Sequence, residues 1–210
     1  MLDENAFGIL VAYHGVEQDE YDLSEEAFVA RVAAFRRQTR SWLLGLAFRP
    51  RGRALLLGHA AYVEWPDPAD ELRGEQASTQ GTSNGNPPEA VPLAPDPIRA
   101  ARECRALLSE VDLPSVAVVT YGSRWVPDFN EPICQAERLE QVTLLDFGQP
   151  SEALRRALHA ETACQGAAES EGWGPGLYLD TEAVEALGKR PQNEPTVLEV
   201  ADATFYRAGR

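Results

Sequence analysis

Ser115-Val116-Ala117-Val118-Val119-Thr120-Tyr121 is a run of strand length, dense in β-branched residues and free of charge. It reads as a strand buried on both faces, the kind found inside a sheet covered by helices on each side. Working outward, Ile98 to Val111 upstream places Ile98, Ala101, Leu107, Leu108 and Val111 at helical spacing, and Val142 to Phe147 downstream reads as a second strand. Ser151 to Cys164 is a helix with Leu154 and Leu158 inward, Gly176 to Leu179 a short strand leading to a helical turn, and Val197 to Tyr206 a closing strand.

The amino-terminal third repeats the alternation. Phe7 to His14 (FGILVAYH) is a buried strand that stops at Gly15, and Asp22-Leu23-Ser24-Glu25 carries helix-start residues with Glu three places after Asp22. The helix then runs from Ser24 to Leu44: Phe28, Val32 and Phe35 recur at i, i+4 and i+7, and Val29, Ala33 and Trp42 widen the stripe. Leu44 to Phe48 and Arg53 to Leu57 flank Arg49-Pro50-Arg51-Gly52, a predicted hairpin turn, with the second strand continuing toward Trp65. The predicted order is β-α-β-β-loop-α-β-β-α-β-α-β, an α/β or α+β domain with helices packed on a mixed sheet.

Between the halves, 66–97 is rich in Pro, Gly, Ser and Asn, including Ser78-Thr79-Gln80-Gly81-Thr82-Ser83-Asn84-Gly85-Asn86-Pro87-Pro88. Such a stretch buries too little apolar surface to offset the entropy of ordering it, so it is expected as a flexible insertion within one domain spanning 1–210. The first 65 residues alone offer too little for a separate core.

The chain has 210 residues with 33 acids against 19 bases, a formal charge of −14. Residues 1–26 hold eight acids and no lysine or arginine, while residues 27–63 hold seven arginines (Arg31, Arg36, Arg37, Arg40, Arg49, Arg51 and Arg53) and no acid. The arginine block can hold phosphate or an acidic partner, or it can be a solvated helix face paired within the molecule to the acidic leader. The acidity elsewhere repels a polyanion, which argues against direct nucleic-acid binding and for a basic protein partner. The apolar runs fall far short of the roughly 20 residues that cross a bilayer, and the start Met1-Leu2-Asp3-Glu4 lacks the features of a secretory signal. The expectation is a cytoplasmic protein without a membrane span.

Chemistry-bearing motifs are sparse. Cys104, Cys134 and Cys164 are widely spaced and form no Cys-x-x-Cys pair, and His14, His59 and His159 lack metal-ligand spacing, so neither a disulfide framework, a metal site nor a cofactor is expected. The glycines form no phosphate-cradling motif, and Lys189 is the single lysine. The best positional candidate follows the buried strand: Arg124, Trp125 and Asp128, where Arg124 can hold an anionic group and Asp128 can orient it. Against this, Trp125 and Phe129 can plug the core and Arg124 can pair locally with Asp128. Glu171-Gly172-Trp173-Gly174-Pro175-Gly176 presents Trp173 on a tight turn, either as an interface anchor or as a turn residue that merely precedes a strand.

The opening strand Val11-Ala12-Tyr13 with its long helix ending at Trp42, the passage from Ala106-Leu107-Leu108 to Val118-Val119-Thr120, the segment Gly176 to Leu179 and the closing strand Thr196 to Phe205 together resemble bacterial immunity proteins that neutralise polymorphic nuclease toxins. The resemblance covers about half the chain and implies a non-catalytic inhibitor that occludes a basic toxin. On that reading Arg124, Trp125, Asp128 and Trp173 are the partner contacts. Two alternatives stand beside it: an enzyme acting on a small anionic substrate with Arg124, Cys134 and His159, and a structural or phage-assembly component. Oligomeric state is left open.

Overall fold

The computed structural model describes residues 2–47, 53–67, 96–126, 137–139, 142–144, 151–166, 173–188, 197–200 and 202–208. In chain order the elements are β1 (Leu2–Tyr13), α1 (Val16–Asp22), α2 (Glu25–Ala47), β2 (Arg53–Leu57), β3 (Ala60–Pro66), α3 (Pro97–Ser109), β4 (Ser115–Val126), β5 (Glu137–Leu139), β6 (Val142–Leu144), α4 (Glu152–Gly166), β7 (Gly176–Asp180), α5 (Thr181–Ala186), β8 (Val197–Val200) and β9 (Ala203–Arg207). A mixed seven-stranded sheet has the order β2-β3-β1-β4-β7-β9-β8, and β5 and β6 pair apart from it. Every neighbouring pair in the large sheet is antiparallel except β4 and β7, which run parallel. This is the expected α/β architecture.

The alternation of β1 divides the core. Phe7, Ile9, Val11 and Tyr13 join Phe35, Trp42, Ala101, Cys104 and Leu108 on one side of the sheet, where α2 and α3 lie. Leu10 and Ala12 face the other way, onto Leu154, Ala157, Cys164, Trp173 and Tyr178 on the α4 side. A strand covered on both faces must be apolar at successive positions, which is why β1 and β4 read as unbroken hydrophobic runs. Trp42 ties α2 to α3 by donating its Nε1–H to the carbonyl of Ala100 at 2.9 Å. Helix α3 starts at Asp96, whose carboxylate accepts from the backbone N–H groups of Ile98 and Arg99, with Pro97 at the first helical position.

Several sequence expectations change, among them the extent of β4, which runs on to Val126 and so carries Arg124 and Trp125 within the strand rather than after it. Leu44 to Ala47 continue helix α2 instead of forming a strand, and the hairpin lies further on, between β2 and β3. Its two-residue turn is Gly58-His59, with Gly58 at a φ of 57° that favours glycine. The expected turn over Arg49 to Gly52 lies outside the described residues, as do 68–95 of the proline-rich insertion. Helix α1 separates strand from long helix, although its seven residues carry only one buried side chain, Val16, too weak a stripe to read from sequence. The closing strand is a hairpin, β8 and β9.

Gly8 shows how closely the α4 side is packed. A Cβ there would stand 2.5 Å from the Tyr62 hydroxyl and 3.0 Å from Thr120 Oγ1, so the glycine lets the Tyr62 ring cross β1.

Candidate active site

Two of the four expected contact residues, Arg124 and Trp173, are interior. Arg124 is 2% exposed on β4. It donates from Nε to Glu4 at 2.6 Å and lies 3.9 Å from Glu64. Burial lowers its pKa, and the two carboxylates act in the opposite direction. Glu64 in turn accepts from Tyr62 at 2.8 Å and from Ser151 at 2.6 Å, and lies 3.6 Å from Arg53. Arg124 thus anchors an internal network that joins β1, β3 and β4 to the start of α4. Trp173 is also buried, 5.2 Å from the Tyr178 ring and 6.4 Å from that of Phe205 between centroids. The backbone of Gly174 is tied to the Tyr178 hydroxyl. The glycine-rich turn therefore inserts its tryptophan into the core rather than presenting it.

Trp125 lies in β4 opposite Asp3; Asp128 and Cys134 fall outside the described residues. His159 is exposed on α4, whereas Arg124 is interior. Cys104 and Cys164 are buried and their thiols are pushed up to about 12 by desolvation, as suits core side chains. The arginine block divides. Arg31 pairs with Asp19 at 2.7 Å and Arg53 with Glu64, the intramolecular pairing expected of the acidic leader in the case of Asp19. Arg36, Arg37 and Arg40 line an open groove with Leu43, Leu44 and residues Ala54, Leu55 and Leu56 of β2.

A different constellation forms where β1 ends. The β2–β3 turn is bonded to it, since Tyr13 N–H donates to the carbonyl of His59 at 2.9 Å. The imidazole of His59 contacts Glu161 of α4 through Nε2 at 3.1 Å. Gln165, one helical turn on, donates to Glu161 at 3.1 Å and to the Tyr13 carbonyl at 2.7 Å, and accepts from Gly15 N–H at 3.0 Å. Strand end, hairpin turn and helix end are locked together, and Glu161 is held from two sides. The Tyr13 hydroxyl on the opposite face donates to Asp19, which also takes Arg31.

Hydrogen bonding to Glu161, then burial acting the other way, then the charges of Glu161 and Glu17, leave the His59 pKa raised above 6.5. An oriented histidine with one ring nitrogen on a carboxylate, partly open to solvent, is the form of a proton-transfer group. In the sequence His59 lacks metal-ligand spacing and stands apart from the other histidines. The overlooked signal is the pair Gly58-His59 as a two-residue turn between strands. Glu161 and Gln165 carry no signal of their own, for they meet His59 only through the packing of α4. Among the described residues no group of three or more His, Cys, Asp or Glu side chains is placed to hold a metal ion, and no helix is long and apolar enough to cross a membrane.

No family model and no curated protein matches the chain. Among solved structures it is similar to the adenylyl cyclase CyaB from P. aeruginosa, with a TM-score of 0.56 and 10% identity over 100% of this chain and 95% of that one. It is also similar to the guanylyl cyclase Cya2, with a TM-score of 0.52 and 12% identity over 98% and 92%. A bacterial light-regulated adenylyl cyclase gives a TM-score of 0.54 and 10% identity over 99% and 91%. These likenesses overturn the expectation of a non-catalytic toxin inhibitor, which rested on generic strand and helix segments shared by many sheets. Over nearly its whole length the chain has the fold of nucleotide cyclases.

Proposed function

We propose that this protein is a cyclase-like enzyme that acts on a nucleotide. The observation that carries the reading is the likeness of the whole sheet-and-helix arrangement, across 98–100% of the chain, to nucleotide cyclases. A nucleotide is a small anionic substrate, the class that the enzyme alternative drawn from the sequence also names, although the residues differ.

Within this reading His59 is the proton-transfer group. Ring closure forms a bond from a ribose hydroxyl oxygen to the α-phosphorus, breaks the bond to the departing pyrophosphate, and must remove the hydroxyl proton. With Nε2 turned to Glu161, His59 has Nδ1 to take that proton, and Glu161 stabilises the imidazolium that results. Phosphoryl transfer is commonly assisted by divalent cations, but the described side chains do not form a cluster that fits one. No step is therefore assigned to a metal.

The test is to titrate the full chain with ATP and with GTP by calorimetry, and to follow cyclic nucleotide formation by mass spectrometry in the presence of magnesium or manganese. The expected result is saturable binding of one purine nucleotide and its cyclic product. His59→Ala should slow turnover by about 10²-fold or more, the contribution of a general base. Failure of both nucleotides to bind at millimolar concentration would refute the proposal.

A further inference from the structure

Among the described arginines of the block, Arg31 and Arg53 make ion pairs within the described residues, and Arg36, Arg37 and Arg40 make none. All three are exposed, and they line the groove between α2 and β2, about 480 Å³, the size class of a ligand cleft. The rest of its lining is aliphatic, from Leu43 and Leu44 of α2 and from 54–56 of β2. One wall is also a sheet edge, for β2 ends the seven-stranded sheet and pairs with β3 on one side. Alternate residues of an edge strand turn backbone N–H and C=O groups outward, and native edges are commonly blunted by a charge, a proline or a bulge. In β2 four of the five residues are aliphatic, and the fifth, Arg53, is paired with Glu64. The spacings of the two walls agree. Arg36 and Arg40 are separated by a rise of about 6 Å along α2, and Leu44 lies about 6 Å further. Side chains on one face of a strand are about 6.6–6.8 Å apart. A strand laid against β2 therefore carries every second side chain past Arg36, Arg40 and Leu44 in turn.

We infer that this groove binds an extended acidic peptide of another protein, added to β2 as a further strand. Carboxylates at alternate positions of the peptide meet Arg36 and Arg40, and an aliphatic side chain two places on rests against Leu44. Backbone pairing with the edge supplies affinity, and the guanidinium groups select the sequence. Three of them along one helix turn exceed what a single carboxylate head group can neutralise, which favours a chain with repeated acids over a simple amphiphile. The formal charge of −14 does not prevent this. Exposed charges more than about 8 Å away are largely screened at physiological salt, and residues 27–63, which supply both walls, contain no acid. This inference goes beyond the enzymatic reading and does not rest on it.

Fluorescence anisotropy of a labelled peptide, Leu-Val-Asp-Val-Asp-Val-Leu, titrated with the full chain tests the proposal; its sequence reads the same in either direction. Saturable binding that weakens with salt is expected. The same composition ordered Leu-Val-Val-Asp-Asp-Val-Leu puts the acids on opposite faces of a strand and should bind about tenfold more weakly or less. Of two copies N-methylated at odd or at even residues, one should lose binding and the other keep it, because an added strand donates to the edge from alternate amides. Arg36→Glu with Arg40→Glu should weaken the aspartate peptide about tenfold or more. The same variant should gain binding of a peptide with lysine in place of aspartate, a rescue that misfolding cannot produce. Absence of binding at millimolar concentration, equal binding of the two acid orders, or indifference to both methylated copies overturns the proposal. Displacement of the peptide by an equal concentration of inorganic phosphate or ATP would also overturn it, marking a small-anion site. Cyclic nucleotide formation, measured in parallel without peptide, tests the enzymatic reading separately.

Discussion

Replacing Arg124 with leucine should reveal an internal charge rather than a recognition residue. The guanidinium is 1% exposed, and the carboxylates of Glu64 and Glu4 beside it are 3% and 10% exposed. Without it, Glu64 remains buried, with Arg53 at 3.6 Å as the remaining basic neighbour, while Tyr62 and Ser151 still donate to it. Removing one partner of a buried pair costs about 3–5 kcal/mol, and the survival of Arg53 points to the lower end. With a urea m-value of about 2–3 kcal/mol/M for a chain of this size, the midpoint should fall by about 1 M. Adding Glu64→Gln removes the stranded charge while keeping an acceptor for the two hydroxyls. The double variant should therefore be more stable than Arg124→Leu alone, with a coupling of about 1–3 kcal/mol in the cycle. Urea melts followed by tryptophan fluorescence measure all four proteins. A loss below about 1 kcal/mol for Arg124→Leu, or two single losses that simply add, would refute the assignment of Arg124 to the interior network.

Gly8→Ala should destabilise by about 2–3 kcal/mol, because its Cβ meets the Tyr62 ring and Thr120 across a crowded strand; a melting temperature equal to wild type would show that Tyr62 does not lie there. Asp180 is fully buried at the start of α5, accepts from Ala183 N–H at 2.7 Å, and has its pKa raised from 3.8 to about 7, chiefly by desolvation. Since the folded state holds that proton more tightly than the unfolded chain, wild-type stability should fall as pH rises from about 4 to 7. Asp180→Asn keeps the cap but cannot ionise, and should lose that decline in pH-dependent urea melts. Glu161→Gln removes the main influence that raises the His59 pKa. The imidazole should then titrate at lower pH by NMR, and the acid limb of a His59-dependent rate should move the same way; an unmoved titration would break the dyad.

Local sequence carried most of the architecture. Ser115 to Tyr121 and Phe7 to His14 read as buried strands because a strand covered on both faces leaves no position for a charge, and α2 and α3 announced themselves by periodicity. Even the start of α3 was available, for Asp96-Pro97 is a cap followed by a proline at the first turn. The hairpin was misplaced because Arg49-Pro50-Arg51-Gly52 and Gly58-His59 are both acceptable turns, and the length of α2 decides between them. Local chemistry does not encode where a helix stops when its last turn is fixed by packing.

By itself the sequence determined an acidic α/β domain, its alternation of elements, and the opposed charges of residues 1–26 and 27–63. Only the tertiary structure decided that Trp173 and Arg124 turn inward, that Arg36, Arg37 and Arg40 stay at the surface, and that His59 meets Glu161 across 102 residues of chain. The physical reason is one of range. Periodicity and capping act over one or two turns, so they are written in neighbouring residues. A site or a buried ion pair depends on which strands lie side by side, and that is set by the cooperative burial of the whole sheet.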